Sequence, residues 1–239
     1  VVMSIGRAFG TWLLRRGVNK TAVGGDVRES TPRLSRTLIE GLLRAGLDVV
    51  DIGVVTTPVL YWSQYRLDAG GAVMITGSHN PKDMNGLKLA FNGATLYGDE
   101  IQEILRMILA DDMADAKRPG ELSSVDLKPD YIDMLLSKCA LGPRRLKVVA
   151  DSGNGTAGLM IREYLEALGC EVVSLFDEPD GSFPNHHPDP QQRKNLAALI
   201  EAVRREGVPQ RPDECGLDLG AQELATLGIH PDNLLCVGD

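Results

Sequence analysis

The sequence is poor in aromatic side chains, which make up 5% of its 239 residues, and short of basic ones, with 25 Lys and Arg against 33 Asp and Glu and a net charge of −8. That sign argues against a sequence-independent nucleic-acid binder, which needs cations to neutralise phosphates. No run approaches the roughly 18 consecutive apolar residues of a membrane span, and the first residues lack the basic, apolar, small-residue order of a secretory signal. No membrane partner is expected, and the location reads as cytoplasmic. The four cysteines, Cys139, Cys170, Cys215 and Cys236, are far apart and form no C-x-x-C pair. Zinc and dithiol redox chemistry are therefore not expected, and the thiols read as reduced and packed.

What is present suffices for a folded core: 43% of residues are apolar and 24% charged, close to the globular average. Apolar residues recur at helical spacing from Ile5 to Leu14, and Thr31-Pro32 opens a second helix that Gly46 stops. Strand-like runs follow at 21–25, 47–52, 71–75 and 86–91, with helices expected at 57–66 and 99–109. A polar stretch from Asp111 to Asp126 reads as a linker. Beyond it the pattern restarts with a helix near 129–139, a strand at 146–150, a helix at 156–168, a strand at 171–175 and a helix at 195–206. The tail, 221–239, reads as helix, turn and strand. The expected fold is α/β: two consecutive domains, 1–118 and 119–239, with mixed, mostly parallel sheets covered by helices. Ligands of such sheets bind at the carboxyl ends of the strands.

The most informative loop, Thr76-Gly77-Ser78-His79-Asn80-Pro81, follows such a strand and places a hydroxyl nucleophile beside an imidazole. The same residue types also make an ordinary turn, since Gly and Asn tolerate unusual backbone angles and Pro ends pairing. A few residues on, Lys88 sits alone in an apolar strand, either as a cation aimed at an anion or as an edge charge that discourages aggregation.

Five segments together resemble the α-D-phosphohexomutase family, and within it the phosphomannomutase/phosphoglucomutase branch. They are the Thr76–Pro81 loop, Asn85-Gly86-Leu87-Lys88, the Thr57-Pro58 helix start, the Asp151-Ser152-Gly153-Asn154-Gly155 turn, and Phe183-Pro184-Asn185-His186-His187-Pro188-Asp189-Pro190. The resemblance covers roughly residues 3 to 207, in the family's order. It implies a mutase that moves a phosphoryl group between C1 and C6 of a hexose phosphate through a hexose 1,6-bisphosphate. Ser78 would be the phosphoserine, with Lys88 and His79 beside it and a Mg2+ ion touching the serine phosphate. Lys88 would neutralise the phosphoryl group or assist proton transfer, and His79 would orient it or serve the loop's structure.

The remaining motifs read as structural. The Asp151–Gly155 turn could bind an anion through its amides but reads better as a packing turn. Neighbouring side chains in an extended segment point apart, so the His186-His187 pair reads as part of an ordered, proline-rich loop rather than a metal site. In Gly24-Gly25-Asp26-Val27-Arg28, Asp26 and Arg28 match a family turn that carries arginine where Gly25 stands.

The resemblance also breaks. Hard divalent cations need clustered oxygen ligands, which the family supplies from a D-G-D-x-D-R loop, and no D-x-D occurs anywhere in the sequence. Beginning with Val1, ending at Asp239 and diverging after Gly207, the chain reads as the front half of a four-domain architecture. Two functions are therefore expected in competition: the mutase, or an inert fragment of its fold. The preferred hexose and the oligomeric state are not legible.

Overall fold

The computed structural model describes residues 1–139, 141–143 and 145–208, and the backbone of 235–237. It divides into two compact units, one made of Val1–Gly77 and Asp83–Leu127, the other of Ser78–Lys82 with the described residues from Lys128 onward.

In the first unit, helix α1 (Val2–Leu14) precedes strand β1 (Lys20–Gly25), helix α2 (Thr31–Ala45) and strand β2 (Asp48–Val54). Helix α3 (Thr57–Arg66), strands β3 (Gly71–Ile75), β4 (Leu87–Phe91) and β5 (Ala94–Thr95), helix α4 (Asp99–Leu109) and strand β6 (Leu122–Ser124) complete it. The strands lie in the order β5-β4-β3-β1-β2-β6. β1, β2, β3 and β6 run parallel, whereas β4 turns back antiparallel to β3 and β5 antiparallel to β4. The expected mixed, mostly parallel sheet is thus present.

Alternation along the strands decides which side chains meet the helices. Val23, Val73, Ile75 and Leu89 join Phe9, Trp12, Leu13, Leu38, Leu42, Ile104 and Met107 in the main core, with Leu87 and Phe91 packed against it. Lys88 and Ala90, between those three, face the other side of the sheet. The helix pair α1 and α2 meets at two glycines: a Cβ on Gly6 would run into Leu38 O, and one on Gly41 into Met3 O.

Two expectations need correction. The supposed linker 111–126 contains β6, whose Leu122–Ser124 pair with Val49–Asp51 of β2. Its three residues are all exposed, so no burial pattern marks them. The helix expected over 156–168 is broken into a 3-10 turn at Thr156–Leu159 and helix α6 (Ile161–Ala167). Gly158 lies so close to the backbone of Asp177 that a Cβ there would collide.

The second unit also contains helix α5 (Lys128–Lys138), strands β7 (Lys147–Asp151) and β8 (Glu171–Leu175), helix α7 (Ala197–Arg205) and strand β9 (Leu235–Val237). The sheet order is β8-β7-β9, with β8 parallel and β9 antiparallel to β7. Val149, Leu199, Ala202, Val203 and Val208 form one core cluster there. The final strand of the expected tail is seen; its helix and turn lie outside the described residues. Cys139 and Cys170 are free thiols. No helix among the described residues is long and apolar enough to cross a membrane.

The glycine contact between α1 and α2 makes a direct prediction. Gly41→Val forces the helix backbones apart and should cost about 1–3 kcal/mol, read as a lower urea midpoint at unchanged slope. A midpoint equal to that of the unsubstituted chain would show that the two helices do not touch at this residue.

Candidate functional site

The loop after β3 is fastened at both ends by the turn after β1. At its start Thr76 N–H donates to Gly86 O at 3.0 Å, which closes the hairpin, and Asp26 N–H donates to Ile75 O at 2.9 Å. The Asp26 carboxylate then accepts Gly77 N–H at 3.2 Å. At its far end the Arg28 guanidinium donates through Nη1 to Met84 O at 3.1 Å. Asn85 Nδ2 donates to Ser30 Oγ at 2.9 Å and to Thr31 Oγ1 at 3.0 Å, while its Oδ1 accepts Gly86 N–H at 2.8 Å.

The fastening rests on a buried ion pair. Arg28 is 1% exposed, and its Nε lies 3.1 Å from Asp26 Oδ2. Asp26 Oδ1 also accepts Arg28 N–H at 3.0 Å and Thr31 Oγ1–H at 2.7 Å. A charge taken from water is tolerated only when paired and hydrogen-bonded in this way. Position 77 must be glycine for the same reason, because a Cβ there would lie 2.6 Å from Arg28 Cζ. The sequence marks Asp26 and Arg28 only as a matched turn; the signal for their anchoring role is a charged pair two residues apart directly after the apolar run 22–25.

Ser78 follows Gly77, exposed and with φ at +52°. Left-handed backbone is uncommon for a residue with a Cβ, and where it persists the surroundings impose it. His79 comes next, half-buried. Both belong to the second unit, where the 186–189 segment holds His79. His79 Nδ1–H donates to Pro188 O at 2.7 Å, and His187 Nε2–H donates to His79 O at 2.9 Å. Because each ring nitrogen meets a carbonyl, each must carry the proton. Lys88 lies in the first unit, half-buried on β4 opposite Met74 of β3. Beyond β4, β5 pairs only with Ala90 and Phe91.

The Asp151–Gly155 turn is a packing turn. Ser152 N–H donates to Leu175 O, Asn154 N–H to Phe176 O and Gly155 N–H to Ser152 O. Gly153 N–H donates to Asp151 Oδ1. No amide of residues 152–155 is left for an anion. The two adjacent histidines diverge. His186 Nε2 lies 3.1 Å and 3.2 Å from the Asp151 carboxylate oxygens, and its Nδ1 lies 3.0 Å from His187 O. Asp151, Gly153, His186, Asp189, Asn195 and Leu199 line a cavity of about 60 Å3, room for little more than water. Donation from the Gln192 side chain, then from Gln191 N–H, holds the Asp189 carboxyl below the usual carboxylate range, with His79 and His187 adding to the effect. Among the described residues no group of three or more His, Cys, Asp or Glu could hold a metal ion.

Comparison with known proteins covers both units. Residues 1–115 match the family model for phosphoglucomutase/phosphomannomutase alpha/beta/alpha domain I, and residues 129–221 that for domain II. A phosphomannomutase/phosphoglucomutase of Pseudomonas aeruginosa is 42% identical over 233 residues, 97% of this chain and 50% of the relative. A phosphoglucomutase of Neisseria gonorrhoeae is 40% identical over 200 residues, 84% of this chain and 43% of the relative. The crystal structure of a phosphoglucomutase/phosphomannomutase family protein from Burkholderia thailandensis superposes with a TM-score of 0.81 at 39% identity, covering 86% of this chain and 46% of that one. The chain therefore spans about half the length of the curated relatives it matches, and the likeness runs past Gly207, where the resemblance read from the motifs ends.

Two stability predictions follow from the geometry. Asp26→Ala leaves Arg28 buried without its partner and should cost about 3–5 kcal/mol, with faster amide exchange at Gly77; an unchanged urea midpoint would contradict the anchoring role. Ser78→Gly should leave stability equal or raise it by about 1 kcal/mol, since glycine adopts the left-handed region without a Cβ penalty. A clear loss of stability would show that the serine side chain, not its backbone, holds the loop.

Proposed function

Since the chain belongs to the phosphoglucomutase/phosphomannomutase family, we propose that it forms the phosphoryl-carrying part of a hexose-phosphate mutase, with Ser78 as the carrier. The observation that supports this most is Ser78 itself: an exposed hydroxyl at a strand's carboxyl end, in a left-handed conformation between two fastened neighbours. Phosphoryl transfer asks for in-line positioning and nearby charge more than for covalent novelty, and a preset nucleophile meets the first demand.

In this reading phosphoserine 78 gives its phosphoryl group to the free C1 or C6 hydroxyl of a hexose phosphate. The Ser78 Oγ–P bond breaks, the sugar O–P bond forms, and the sugar hydroxyl loses its proton. The resulting hexose 1,6-bisphosphate turns over, and its other phosphoryl group returns to Ser78 Oγ. Lys88 neutralises the phosphoryl group or assists the proton's departure, and His79 orients the loop. The family resemblance also implies Mg2+ at the serine phosphate. Here the residues do not fit such an ion: the sequence has no D-x-D, and the described residues hold no acidic cluster. The second reading is an inert fragment of the same fold, which holds phosphate at most and does not turn it over.

Incubation with glucose 1,6-bisphosphate, followed by peptide mass spectrometry, separates these. One phosphate is expected on Ser78, absent from Ser78→Ala and acquired roughly 100-fold more slowly by Lys88→Met. An unmodified Ser78 sinks the carrier role. Phosphate on Ser78 without conversion of glucose 1-phosphate to glucose 6-phosphate upholds the second reading.

A further inference from the structure

The His186-His187 pair is the sequence feature that the proposed chemistry leaves unused, although its two imidazoles make specific long-range bonds. His187 Nε2–H donates to the carbonyl of His79, and the ring of His79 donates back to the carbonyl of Pro188. The bonds run in opposite directions between the same two segments, so each segment supplies one ring and one carbonyl. Together they fix both the side chain of residue 79 and the peptide plane that follows it. On the other side of Ser78, Gly77 is held through its own amide by Asp26. Ser78 immediately precedes the gripped residue and has φ at +52°.

The gripping segment is itself held rigidly. Asp151, at the end of β7 with its side chain 5% exposed, pairs with His186 Nε2. The other nitrogen of His186 bonds to the carbonyl of His187, so one ring ties the strand end to the backbone of the next residue. The ring stands edge-on to Phe176, and it lies so close to Gly153 that a Cβ there would come within 2.9 Å of Cε1. Pro188 and Pro190 restrict the chain on the far side. A rigid loop aimed at one backbone carbonyl 108 positions away in sequence is more than surface packing requires.

We propose that His187 is a positioning residue for the phosphoryl-carrying loop, acting through His79 to hold Ser78 in its left-handed, exposed conformation. The role in transfer rests on the reading of Ser78 as carrier; the grip on residues 78–82 stands without it. A displacement of the acceptor oxygen by about 1 Å is enough to slow transfer on the order of 100-fold, so a carbonyl-directed hydrogen bond has kinetic weight.

The test compares His187→Ala with His187→Gln in the full chain. The Gln amide reaches where imidazole Nε2 stands and can donate to the same carbonyl. Far-UV circular dichroism and the urea midpoint check the fold. His187→Asn, whose amide stops short of the carbonyl, replaces the alanine variant if that variant unfolds. Amide hydrogen exchange at residues 78–82 should speed up at least tenfold in His187→Ala, with 71–75 unaffected, and return towards the original rate in His187→Gln. Phosphate uptake by Ser78 from glucose 1,6-bisphosphate should slow about 10- to 100-fold in His187→Ala and recover in the glutamine variant. Exchange and uptake unchanged in a folded His187→Ala, or a glutamine variant as impaired as the alanine one, overturns the proposal. If the unsubstituted chain takes up no phosphate, the carrier reading fails, and the exchange pattern alone upholds or overturns the grip.

Discussion

The base of the loop after β3 depends on one buried carboxylate. Asp26 accepts hydrogen bonds from the backbone and Nε of Arg28, from the Thr31 hydroxyl and from the Gly77 amide. Its lone pairs are thereby occupied, which offsets the cost of burying the charge, and Arg28, neutralised by it, donates to Met84 O. One ion pair thus reaches both limbs of the hairpin. Without it the departing and returning strands would still pair through β3 and β4, but Gly77 and Met84 would lose their common footing. Position 25 is glycine, and a Cβ there would press on the Thr31 methyl group, so the base of the loop is closely packed.

The sheet contributes in a different way. Odd-numbered residues of β4 enter the core with α1 and α4, which leaves Lys88 on the opposite face whatever its chemistry. A lysine that shares a strand with Leu87, Leu89 and Phe91 is thereby held at a fixed register, opposite Met74, the last residue but one of β3. Register in a sheet is specified by such alternation, and a slip of one residue would bury the ammonium group. The second unit shows the same economy: β7 ends in an aspartate whose partner, His186, lies in a loop beyond β8 rather than in the turn that follows the strand.

The long elements were readable because their periodicity is strong: α2 carries proline at its start and a left-handed Gly46 at its end, and the buried strands are short apolar runs between turn residues. β6 was not, since an exposed three-residue edge strand has no burial pattern to leave in the sequence. The break in the helix expected after β7 comes from Gly158 meeting the chain at Asp177, a tertiary contact that no local window contains. At the site, Ser78, His79 and Lys88 stood out by residue type and by position after strands. Asp26 and Arg28 stand out only as a matched turn, and His187 reads as part of a loop. Their roles consist of bonds to backbone carbonyls and amides 51 to 108 residues away, which carry no residue-type signature at the receiving end.

The backbone of Ser78 restricts which chemistry could ever occupy its place. Threonine has the same hydroxyl, but its branched Cβ crowds the backbone at positive φ, where β-branched residues are genuine outliers. The left-handed turn at +52° therefore separates two side chains that are otherwise interchangeable as phosphoryl acceptors.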